Sequence, residues 1–101
     1  MIILYEGEKR DIIVKVVRRI AGAYILSSAE RRILTAARAV VPGFDWAAAT
    51  WDPAAAELSA LFDSTAAGLT APGIYYLQLR CTIGAERYET EIRVDVSDWG
   101  P

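Results

Sequence analysis

Two consecutive runs of alternating residues, Ile74 to Ile83 and Arg87 to Val96, are joined by Gly84-Ala85-Glu86, and they constrain this chain more than any other feature. In the second run Tyr88, Thr90, Ile92, Val94 and Val96 share one face, and Arg87, Glu89, Glu91, Arg93 and Asp95 share the other. Successive side chains on a strand point to opposite faces, so this is the pattern of a half-buried strand. The first run sets Tyr75, Leu77, Leu79, Cys81 and Ile83 against Tyr76, Gln78, Arg80 and Thr82. A short glycine-containing connection between such runs predicts an antiparallel hairpin. One apolar and one charged face suit a sheet that covers a core and meets water.

The remaining segments follow the same habit. Ile2 to Tyr5 reads as a short strand, Glu6 to Lys9 as a turn, and Asp11 to Val17 as a β-branched strand. Ile13 and Val17 make the second face of that strand partly apolar, which predicts cover on both sides. Residues 28 to 41 fit two patterns. Ser27-Ser28-Ala29-Glu30 is a capping box before a helical stripe of Ile33, Leu34, Ala37, Val40 and Val41, whereas Ile33, Thr35, Ala37, Ala39 and Val41 alternate. The Pro42-Gly43 turn and the neighbouring strands favour a strand. Trp46 to Trp51 alternates until Asp52-Pro53, which places the two tryptophans on opposite faces of one strand. Glu57 to Phe62 is a further strand with Leu58, Ala60 and Phe62 on one face, and Asp63 to Gly68 has the residues to cap one helical turn. About seven short strands in 101 residues predict an all-β, antiparallel β-sandwich forming one domain over residues 1 to 101.

Composition removes several kinds of chemistry. No histidine occurs, so Ser-His-Asp and Cys-His nucleophile systems and histidine-bearing zinc sites are ruled out. A net charge of −2 gives no electrostatic footprint for nucleic acid, and the Arg18-Arg19 and Arg31-Arg32 pairs read as solvated surface. The single cysteine, Cys81, cannot close an internal disulfide and reads as core. The opening Met1-Ile-Ile-Leu-Tyr lacks a basic stretch and a long apolar run, so no signal peptide is expected, no membrane span is seen, and the chain reads as complete from Met1. Glycine-rich phosphate loops and EF-hand spacing are missing, so no cofactor and no metal is expected.

The candidates that remain are few. Asp45 with Asp52, and Glu89 with Glu91, are the nearest carboxylate pairs, and the arginines beside Glu89 and Glu91 make charge pairing the ordinary explanation there. Trp46, Trp51 and Trp99 are candidate partner contacts, with Trp99 the one expected at the surface. Pro72-Gly73-Ile74-Tyr75 puts a turn before an inward tyrosine whose hydroxyl needs a backbone acceptor near that corner, the arrangement called a tyrosine corner.

Tyr5 to Val16, the turn Leu26 to Ala29, the run Leu58 to Tyr75 and the closing Val94 to Pro101 together resemble small Ig-like β-sandwich proteins of tailed bacteriophages and prophages, similar to the N-terminal domains of baseplate upper proteins. Residues 30 to 56 depart from the pattern, since Arg31 falls where an apolar inward residue is expected and Trp46 to Ala56 is rich in alanine. The resemblance implies a non-enzymatic structural or adaptor role in a virion. Partners would be other virion or tail proteins or further copies of the chain, located in the virion or the bacterial host cytoplasm. The alternative is a carbohydrate-binding module that uses exposed tryptophans, with an enzyme using Asp45 and Asp52 beside Trp46 as a third reading.

Overall fold

The computed structural model describes residues 2–15 and 26–97, which form eight strands and no helix. The strands are β1 (Ile2–Tyr5), β2 (Lys9–Lys15), β3 (Leu26–Thr35), β4 (Ala47–Ala48), β5 (Thr50–Asp52), β6 (Glu57–Asp63), β7 (Gly73–Ile83) and β8 (Glu86–Ser97). They make a five-stranded sheet in the order β1-β8-β7-β3-β4 and a three-stranded sheet in the order β2-β6-β5. All pairs are antiparallel except β1 with β8, where Ile2 to Tyr5 runs beside Val94 to Ser97.

Alternation along β6 and β7 builds the core. Leu58, Ala60 and Phe62 face inward from one sheet, and Tyr75, Leu77, Leu79, Cys81 and Ile83 from the other. Leu4, Ile12, Ile33 and Val94 complete it, and Val41 and Leu69 close it from the connections. The Phe62 and Tyr75 rings meet edge to face across the sheets, with centroids 5.8 Å apart. The Tyr75 hydroxyl donates to the carbonyl of Ala71 at 2.7 Å, so the expected corner forms at the start of β7. Gly73 opens that strand with φ 145°. This strand order, with the tyrosine corner at the entry to the penultimate strand, is an immunoglobulin-like sandwich. Antibody domains place a disulfide cysteine two residues after that tyrosine. Here the position is Leu77, fully buried, and Cys81 is a separate buried thiol.

Four expectations need correction. The second strand covers Lys9 to Lys15, and its outer face is open at Ile13, which is 55% exposed. β3 is a strand, as expected, but it stops at Thr35 rather than continuing to Val41. Thr35 N–H donates to Ala39 O and Arg38 N–H to Thr35 O, which makes a tight turn with Arg38 at φ 68° and lets Leu34 bridge back to Val40. Alanines at 36, 37 and 39 offer no side-chain packing that would hold an extended strand against that turn. Trp46 to Trp51 is not one strand: Ala49 N–H still bonds Ala29 O of the large sheet, and Thr50 already pairs with Ser59 of the small one. The chain changes sheets at this corner. Residues 63 to 68 form successive turns instead of a helical turn: Ala66 N–H donates to Asp63 O and Leu69 N–H to Ala66 O, and Asp63 Oδ1 accepts both the N–H and the hydroxyl of Thr65. Val16, Val17, Arg18 and Arg19 lie outside the described residues.

Candidate functional site

The outer face of the large sheet carries a connected polar and aromatic layer. Register places Glu30 opposite Arg80, Arg32 opposite Gln78 and Gln78 opposite Glu91, so the charged positions of three strands line up in rows. Arg32 donates twice to the Gln78 side-chain oxygen, at 3.0 and 2.6 Å, and Gln78 donates onward to Glu91 at 3.1 Å. Arg80 pairs with Glu30 at 3.0 Å. Trp46, just before β4, lays its ring over both arginines, with the guanidinium carbons of Arg80 and Arg32 at 3.8 and 4.6 Å from the centroid. The left-handed backbone at Arg38 turns its side chain across the sheet onto Tyr76, 4.0 Å from that centroid, and into a salt bridge with Glu91. That contact holds the Glu91 carboxyl below its usual value. Trp46, Glu89 and Glu91 border one shallow depression of about 170 Å³.

The other candidates are dispersed. Trp51 points inward from β5 and packs on the core, whereas Trp46 covers the outer face of the opposite sheet, so the two form no shared aromatic surface. Asp45 Oδ1 accepts the N–H of Trp46 at 2.8 Å, and Asp52 Oδ1 accepts the N–H groups of Ala54 and Ala55. Each carboxylate is thus committed to its own turn. Trp99 lies outside the described residues. Among those residues no group of three or more acids or cysteines is placed to hold a metal ion, and no helix is long and apolar enough to cross a membrane.

Two features stood out less in the sequence. β1 covers only Val94 to Ser97 of its neighbour, so the edge of β8 from Glu86 to Arg93 has no strand beside it among the described residues. Only the unequal lengths of the first and last strands hinted at this. The second is a groove of about 390 Å³ at the corner where the chain changes sheets, bordered by Arg31, Phe44, Ala48, Ala49, Ala60 and Leu61 among others. Arg31, read above as solvated surface, is half-buried on the inward face of β3, opposite Leu79. It donates to Asp45 O at 2.9 Å and stacks on Phe44 at 5.2 Å. The two departures noted in the sequence, the inward arginine and the alanine-rich stretch, meet at this groove: small side chains leave the space that the guanidinium borders.

The fold defines an immunoglobulin-like β-sandwich with a polar outer layer, an open strand edge and a lateral groove. Comparison with protein-family models, with curated proteins and with solved structures finds no match to the chain.

Proposed function

We propose that this chain is a non-enzymatic structural or adaptor protein of a phage or prophage virion, working through protein–protein contacts. The observation that carries the reading is the uncovered edge of β8. An exposed strand edge presents alternate N–H and C=O groups that pair readily with another chain. Ser97 O accepts from Glu6 N–H on the β1 side, so by the two-residue repeat Glu91 and Glu89 also turn their backbone groups toward the open edge. Arg87, Glu89, Glu91 and Arg93 set two acids between two bases along that strand and would fix which partner and which register are accepted. Cyclic assembly through such an edge suits a repeated tail component.

The test is the solution mass by light scattering over a concentration series at low and high salt, for the parent chain and for Glu89→Pro. Proline at 89 removes an N–H that points away from β7, so the hairpin keeps its ladder while the edge loses a donor. A defined oligomer in the parent and a monomer in the variant is the expected result. A parent that stays monomeric throughout, or an oligomer indifferent to the proline, removes self-assembly through this edge.

A further inference from the structure

We propose that the groove along the uncovered half of β6 docks an extended segment of a partner protein, whose carboxylate pairs with Arg31. This rests on the adaptor reading above and gives it a partner chemistry.

Three observations converge. First, β2 flanks β6 along its whole length, but β5 flanks only Glu57 to Ser59, so Ala60 to Asp63 have no strand on their other side among the described residues. The backbone there is a short template for strand addition, and its mouth is apolar, with Leu61 50% exposed. Second, the groove has room for a ligand, and Ala48, Ala49 and Ala60 keep its walls low enough for a backbone to approach. Third, Arg31 has no counter-charge among the described residues. Arg10, Arg38, Arg80 and Arg93 each meet a carboxylate, whereas the one hydrogen bond Arg31 makes among the described residues goes to a backbone carbonyl. A guanidinium has five N–H donors in a fork that matches a carboxylate, so most of the donors of Arg31 stay available at the groove. The guanidinium carbon lies over the Phe44 ring, a cation–π contact that favours this position. The one acid bordering the groove, Asp63, does not supply the missing charge, because its oxygens are taken by Thr65 and face Lys9 at 3.8 Å.

The test is an NMR titration of the ¹⁵N-labelled full chain with acetylated, amidated hexapeptides of serine and valine, each carrying one glutamate at a different position. Matched peptides carry glutamine instead, and sodium butanoate serves as a free carboxylate. The expected result is a saturable shift of amides at Arg31, Ala48 to Thr50 and Ala60 to Asp63 with at least one glutamate peptide. The glutamine peptide and Arg31→Gln should each weaken that binding about tenfold or more, while Lys15→Gln, on β2 opposite Glu57 and outside the border of the groove, leaves it unchanged. The glutamine peptide tests the contact without touching the protein, so the result does not depend on Arg31→Gln folding. No saturable shift with any peptide overturns the proposal, as does binding that tolerates loss of either charge. Butanoate binding as tightly as the peptides makes a free acid the ligand and overturns the partner segment. The mass measurement on β8 is independent of this titration, so failure here leaves the assembly reading standing, and failure there leaves this groove to be judged on its own.

Discussion

Tyr75 shows how much one polar atom does in this core. Its ring joins the two sheets against Phe62, and its hydroxyl ties the preceding corner through Ala71 O. Tyr75→Phe keeps the ring contact and removes only the hydrogen bond, and Ala71 is exposed enough for water to reach its carbonyl. The expected loss is about 1 kcal/mol, seen as a fall of roughly 4–8 °C in thermal midpoint for a chain of this size; an unchanged midpoint would show that the corner carries no stability. This bond was legible in the sequence because a proline-glycine turn and an inward tyrosine leave the hydroxyl few acceptors. Cys81 was equally legible, and burial pushes its thiol above the usual value. The native chain should therefore react with a thiol reagent only at the rate at which it opens, and should gain reactivity in step with urea. Arg31 was harder. Residue type said surface and strand parity said core, and the conflict is resolved only by a groove that depends on where two sheets part company.

The connections between strands test the same backbone physics in opposite directions. Gly68 has φ +90°, and a Cβ there would lie 2.7 Å from Cγ1 of Val41, a stiff side chain only 1% exposed. Gly43 has φ +84° with nothing within 4 Å. Alanine at either position adopts the left-handed conformation at a cost of about 1–2 kcal/mol, and only Gly68→Ala also has to displace Val41. Urea midpoints should rank the parent above Gly43→Ala and Gly43→Ala above Gly68→Ala; equal losses would mean that the 63 to 72 connection yields freely. Ala56, in the turn after Asp52-Pro53, already holds φ 54°. Ala56→Gly relieves about 1–2 kcal/mol of left-handed strain against an entropic cost of about 0.5–1 kcal/mol for glycine, and should therefore stabilise the chain slightly. At this scale the hairpin of β7 and β8 and the strand β6 were readable because their alternation is long, or bounded by turn residues. The ends of β3 and the division of 46 to 51 into β4 and β5 were not, since alanine fits a turn, a strand or a crossing equally well and hides the point at which the chain leaves a sheet.

Across the whole molecule, exposed ion pairs on both sheets make stability depend on pH with one sign. Asp63 lies below its usual value chiefly through the hydroxyl and N–H of Thr65, with Lys9 adding to it. Glu91 is lowered by Arg38 and then Gln78, and Asp95 by Arg93. A carboxyl whose folded value is depressed binds fewer protons when folded than when unfolded near that value, so stability rises with pH there. The contribution is fully present above the unfolded value of about 4 and is lost as pH falls through the folded values. Arg38 and Arg93 are raised in turn, and their contribution is lost only at pH far above the neutral range. Each pair is exposed, screened by salt and individually weak, so the informative variant removes them together. Urea midpoints of the parent should hold steady from pH 7 down to about 5 and then fall, and the combination Asp63→Asn, Glu91→Gln and Asp95→Asn should start lower and fall less. Raising the salt should shrink the difference between the two curves, because the pairs sit in water rather than in the core. If the triple variant tracked the parent at every pH, acid sensitivity would have to come from other carboxyls, and the rows of charge on the two outer faces would serve recognition without holding the sandwich together.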